Sequence, residues 1–169
     1  MSAKKGMINV CRDIAGILEQ INPEDYTAPL DLFNGASLGQ HFRHVLDFFQ
    51  CLALAGETGI VDYARRKRDP RIEADPIYAA SAFQKILTQV EQMDEGTALY
   101  MRADFMNVPE EDRPLYASSV GREMTFVHDH AIHHLAMINI GIQEQCPYIA
   151  KPEHFGVAPS TIKHRIAQP

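Results

Sequence analysis

Apolar residues return every three to four positions in four separate stretches of the chain, and each such stretch marks a helix with one face to bury. Met7, Cys11, Ile14, Leu18 and Ile21 share a stripe, so the spacing predicts a helix over 3–21 that stops before Asn22-Pro23. A second pattern opens at Ser37. Ser37-Leu38-Gly39-Gln40 has the spacing of a capping box, in which the hydroxyl and the amide each satisfy a backbone N–H left free in the first turn. This helix runs to about Ala55 and ends at Gly56. Asp75-Pro76 is an N-cap followed by proline at the first helical position, and it starts a third helix over about 76–95. Ile77, Ala80, Phe83, Leu87, Val90 and Met93 lie on or near its stripe. Ser118 or Ser119 caps a long fourth helix that reaches roughly Gln145 and is ended by Cys146-Pro147.

The connecting stretches are long. Residues 22–36 carry two prolines and a glycine without a sustained period, and 59–76 are dense in charge. LYMRADFMNV reads as an extended segment leading into a turn at VPEEDRP. Such connectors exceed what a minimal up-and-down design needs, so the fold class expected is all-α, a four-helix bundle with long crossover connections. The bundle is assigned to residues 1–146. Residues 147–169, with three prolines in the final nineteen positions, are assigned to a C-terminal extension that packs on it.

Size and charge narrow the partners. One domain of 169 residues is long enough to bury a single substantial core. Sixteen basic against twenty-two acidic residues give a net charge of −6, which repels phosphate backbones and anionic lipid, so neither nucleic acid nor membrane is expected. Cys11, Cys51 and Cys146 are odd in number and far apart, as buried reduced thiols are. The first residues lack a secretory apolar core, and no run approaches membrane-spanning length, which places the chain in the cytoplasm. A small-molecule substrate and a homodimer through the helices are the expected partners.

Histidine supplies the candidate chemistry. Residues 128–134 read HDHAIHH, and QHFRH stands about ninety residues upstream. On a helical wheel His134 falls about 40° from His130, whereas His128 lies about 160° away and His133 about 60° to the flank. His130 and His134 therefore share the face that Val127 and Gly141 occupy. Side chains one turn apart can converge on one metal ion, but two ligands bind weakly. A third must come from another helix, where His44 or His41 could reach inward; His44 is favoured because Phe48, Cys51 and Leu52 continue its face. His41, His133 and Glu123 are then candidates for the surroundings of the site, with Glu123 alternatively a carboxylate favoured by the helix dipole. Cys51 reads as core packing. Ala131 follows His130, so there is no HExxH protease motif, and neither cluster has glutamate three residues before a histidine, as a di-metal bundle would. One mononuclear ion is what remains.

SLGQHFRHVLDFF and SSVGREMTFVHDHAIHHLAMI together resemble the DinB-like (DinB/YfiT) superfamily of metal-dependent four-helix bundles. The resemblance covers about residues 3–145. In that family one histidine follows a serine in the second helix, and two more form HxxxH in the last long helix. Carried over position by position, the resemblance implies His44, His130 and His134 as ligands of a divalent ion, zinc or nickel. Leu135-Ala136-Met137-Ile138 stands where many relatives have Arg-Gly-Gln, so no role tied to that polar segment carries over.

The resemblance also implies a class of activity. Characterised relatives include transferases and isomerases that use low-molecular-weight thiols, so a thiol-dependent S-transferase is expected, with the thiol as a second cofactor. Metal-assisted hydrolysis, or a module that binds metal or ligand or dimerises without turnover, are the alternatives. No catalytic residue beyond the ligands is assigned. The loop YARRKRDPRIE offers Arg65, Arg66, Lys67, Arg68 and Arg71 for the carboxylates of such a cofactor, or else a solvated loop paired locally with Asp62, Asp69 and Glu73.

Overall fold

The computed structural model describes residues 2–168. Four long helices form the frame: α1 (Ala3–Leu18), α3 (Leu38–Thr58), α5 (Pro76–Gln92) and α6 (Val120–Gln145), with the short α2 (Pro23–Thr27) and α4 (Pro70–Ala74) between them. α1 packs on α5 and α6, and α3 packs on the same two helices. Consecutive α1 and α3 thus lie across the bundle from each other, and the long connections carry the chain over its ends. The fold is all-α, as the periodicity predicts, with a small sheet added.

The predicted caps are present. Ser37 and Gln40 form the reciprocal capping box, Asp75 accepts from the N–H groups of Ile77 and Tyr78, and Ser119 accepts from Arg122. Boundaries differ where tertiary contacts intervene. α1 ends at Leu18, three residues early, because the chain turns at Glu19-Gln20 and Asn22 caps α2; Ile21 is still buried, which is why it continues the apolar stripe. α3 passes through Gly56 and stops at the left-handed Gly59. Ile77 is mostly exposed, and Ala79 and Ile86 take the inner face of α5 instead. The tail includes a further helix, α7 (Pro159–Ala167), and reaches the core through Ile149 and Phe155, whose carbonyl accepts from Asn139.

Three strands, β1 (Ile60–Val61), β2 (Ala98–Arg102) and β3 (Leu115–Ser119), form one sheet in that order, parallel then antiparallel. The Tyr100 N–H donates to the Gly59 carbonyl, so the sheet is fastened to the last residue of α3's cap, and β3 runs directly into α6. The sheet therefore fixes the start of α6 relative to the end of α3. Further along, Gly141 lets α6 approach closely: a β-carbon there would stand 2.7 Å from Phe33 and 3.0 Å from Leu38. The two helices that carry the histidines are held together at both ends.

Candidate metal centre

α3 and α6 are neighbours in the bundle, and the inward turn of each presents imidazole. His44, His130 and His134 each contribute one ring nitrogen to a group whose members all lie within 4.8 Å of one another. The Nε2 atoms of His44 and His130 are 3.0 Å apart. Two ligands of a tetrahedral ion with bonds of about 2.0–2.1 Å stand about 3.3 Å apart, so the spacing fits a shared ion. Nδ1 of His134 is buried with no hydrogen-bond partner, an unmet acceptor or donor of the kind that buried polar groups seldom leave. Each ring is half-buried, which keeps one side of the cluster open.

Protonation also suits a metal. Burial first, and then the charge of neighbouring imidazoles, lowers His44, His130 and His134 to about 4. At neutral pH all three are therefore neutral, with lone pairs available. Three neutral imidazoles and no carboxylate suit zinc, nickel or a similar borderline ion better than magnesium or calcium.

An aromatic wall supports one side. Phe48 stacks on His130 at 3.8 Å between centroids, Tyr63 stacks on Phe48 at 5.2 Å, and Phe126 lies 5.0 Å from Tyr63. The Tyr63 hydroxyl donates to Glu123 Oε2 at 2.8 Å, while Ser118 and Arg122 donate to Oε1 at 2.6 and 2.8 Å. Burial, reinforced by the Glu123 carboxylate, pushes the Tyr63 hydroxyl up, so it stays protonated and keeps donating. Glu123 is completely buried but bonds to no histidine. Its role is to anchor the wall.

The other candidates are dispersed. His41 packs on Phe33 at 4.3 Å and stands 5.8 Å from His134, beyond the ligand group. His133 is exposed and meets His134 edge-on at 5.4 Å. His128 faces α1, where a β-carbon on Gly6 would touch it at 3.1 Å, and bonds to Asp129. Cys51 is buried, and desolvation raises it to about 11, the behaviour of a packed thiol.

The basic loop is not the locally paired surface that its composition offers. Asp62 pairs with Arg113 and Glu73 with Arg43; only Asp69 binds a loop arginine, Arg71. Arg65 reaches Glu110, and Arg68, in the left-handed region at φ 50°, gives its backbone N–H to Asp47. Arg66 alone turns to the aromatic wall, with its guanidinium 5.5 Å from the Phe48 centroid. Phe48 stands one turn after His44 on the face that the sequence marks, whereas Tyr63 and Ser118 join the site without any motif in the sequence and follow only once β1 and β3 bring their segments beside α6. A separate cleft of about 450 Å³ between α3 and α5, lined by residues such as Gln50, Leu54, Lys67 and Lys85, includes none of the histidines.

Comparisons with known proteins agree with this architecture. A sequence model of the DinB superfamily matches residues 10–138, which include all three histidines. The crystal structure of a DinB-like protein, YjoA, from Bacillus subtilis superposes with a TM-score of 0.65 over 90% of this chain and 97% of that one, at 15% identity. FK506-binding protein 5 of Rhizopus delemar is 32% identical over 108 residues, or 62% of this chain and 27% of the fungal protein. The chain thus spans about a quarter of the length of that curated relative.

Proposed function

The chain belongs to the DinB superfamily, and we propose that it works through one divalent ion, zinc or nickel, held by His44, His130 and His134. The convergence of three neutral imidazoles from two distant segments carries this reading. A divalent ion with three neutral ligands and open positions lowers the pKa of a bound thiol or water toward neutrality. The side chains do the rest: α3 and α6 orient the rings, and Phe48 with Tyr63 and Phe126 keeps water from the side of His130.

The proposed reaction is transfer of a small thiol to an electrophile. A C–S bond forms, the leaving group departs with its electron pair, and the thiol proton passes to solvent. Among the described residues no carboxylate contacts the ring nitrogens of the three histidines, and Glu123 is committed to three donors, which favours a thiol over a water needing a general base. Incubating purified protein with a panel of thiols and electrophiles, with and without zinc or nickel, tests this. Conjugate that requires both the ion and His130 supports transfer. Conjugation that ignores the ion or survives His130→Ala defeats it, and hydrolysis without thiol replaces it.

A further inference from the structure

We infer that Arg66 is the recognition residue for a carboxylate on the small molecule bound at the three-histidine centre, an assignment that rests on the reading above. Arg65 and Lys67 line the cleft between α3 and α5, so the alternation of the loop turns Arg66 the other way, over Phe48. A single phenyl ring connects it to the centre, since Phe48 stacks on His130 and lies 5.1 Å from His44.

The guanidinium lacks an acceptor. Nε is buried without a hydrogen bond, and Arg66 forms no ion pair among the described residues. The carboxylates nearby are already engaged. Asp47 accepts from Arg43 and from the Arg68 backbone, both Asp62 oxygens accept from Arg113, Asp69 binds Arg71, and Glu110 binds Arg65. Buried arginine donors are normally satisfied, and the two terminal nitrogens, neither buried nor bonded among the described residues, form a planar fork that is the complement of a carboxylate. The centre itself has no anionic ligand, so a divalent ion there, with Arg66 packed on Phe48, concentrates positive charge that a ligand with an ionised donor and one carboxylate would largely offset.

Two probes with the same sulfur test the assignment. The full chain loaded with cobalt(II) is titrated with mercaptopropionate and with propanethiol, followed by thiolate-to-cobalt absorption. Wild type is expected to bind mercaptopropionate about tenfold more tightly than propanethiol. Arg66→Gln should remove that preference with propanethiol binding and cobalt stoichiometry unchanged, and Arg66→Lys should retain part of it. An undiminished preference in Arg66→Gln, or none in wild type, overturns the role of Arg66 and leaves the metal reading standing. Absence of a thiol-sensitive cobalt band in wild type, or a band that survives His130→Ala, defeats the metal reading and this assignment with it.

Discussion

Glu123 is the buried charge on which the wall beside His130 depends, and replacing it with glutamine isolates that dependence. Glutamine keeps the shape but turns one acceptor oxygen into an NH2 group, so either Tyr63, at Oε2, or Ser118 and Arg122, at Oε1, lose their acceptor. Arg122 matters least, since its side chain is 58% exposed and water replaces the carboxylate. The loss that counts falls on one buried hydroxyl, that of Tyr63 or that of Ser118. A hydrogen bond from a buried hydroxyl to a charged acceptor contributes about 1.5–3 kcal/mol. In a domain of this size each kcal/mol moves the midpoint by about 2–4 °C, so Glu123→Gln should lower Tm by roughly 3–12 °C. Thermal and urea unfolding followed by circular dichroism measure this. Tyr63→Phe removes the same bond from the other side, so the double variant should cost less than the two singles together by about 1–2 kcal/mol. A change within about 0.5 kcal/mol for Glu123→Gln, or strict additivity with Tyr63→Phe, would refute the anchoring role.

Gly39→Ala should destabilise by about 3 kcal/mol in urea unfolding, because the new β-carbon would stand within van der Waals radii of the Glu73 carbonyl, and backbone cannot yield as a side chain can; an unchanged midpoint would show that α4 moves freely. In the presence of chelator, stability should fall as pH drops from about 6.5 toward 4. The three histidines stay neutral in the fold down to about 4, while those of the unfolded chain titrate near 6.5, so the unfolded state binds more protons in that window. His130→Ala should flatten this dependence, and an equal slope in the variant would contradict it. Zinc at one hundred times its Kd should add about 2.7 kcal/mol of stability, and His44→Ala should abolish the gain.

The sequence carried the bundle and the three-histidine cluster because both rest on short periods. The capping box at Ser37, the Asp75-Pro76 start and the one-turn spacing of His130 and His134 are local, and local geometry survives folding. His44 was distinguished from His41 by the apolar residues that continue its face, and the packing of α3 on α6 places it accordingly. What was not legible depends on distant pairing. β1 has two residues, too few for a pattern, and β3 is mostly exposed and ends as a helix cap, so neither alternates in hydrophobicity. Tyr63 and Ser118 meet Glu123 only through that sheet. Asp62 and Glu73 resemble local partners of the basic loop by proximity in sequence, yet Arg113 and Arg43 claim them from afar.

Crystals of the full chain soaked with zinc and measured on both sides of the zinc absorption edge give the most direct test of the central claim. The account predicts one anomalous peak within about 2.0–2.1 Å of a ring nitrogen from each of His44, His130 and His134. A map with no peak there at saturating zinc, or with zinc bound only at other residues, would contradict it.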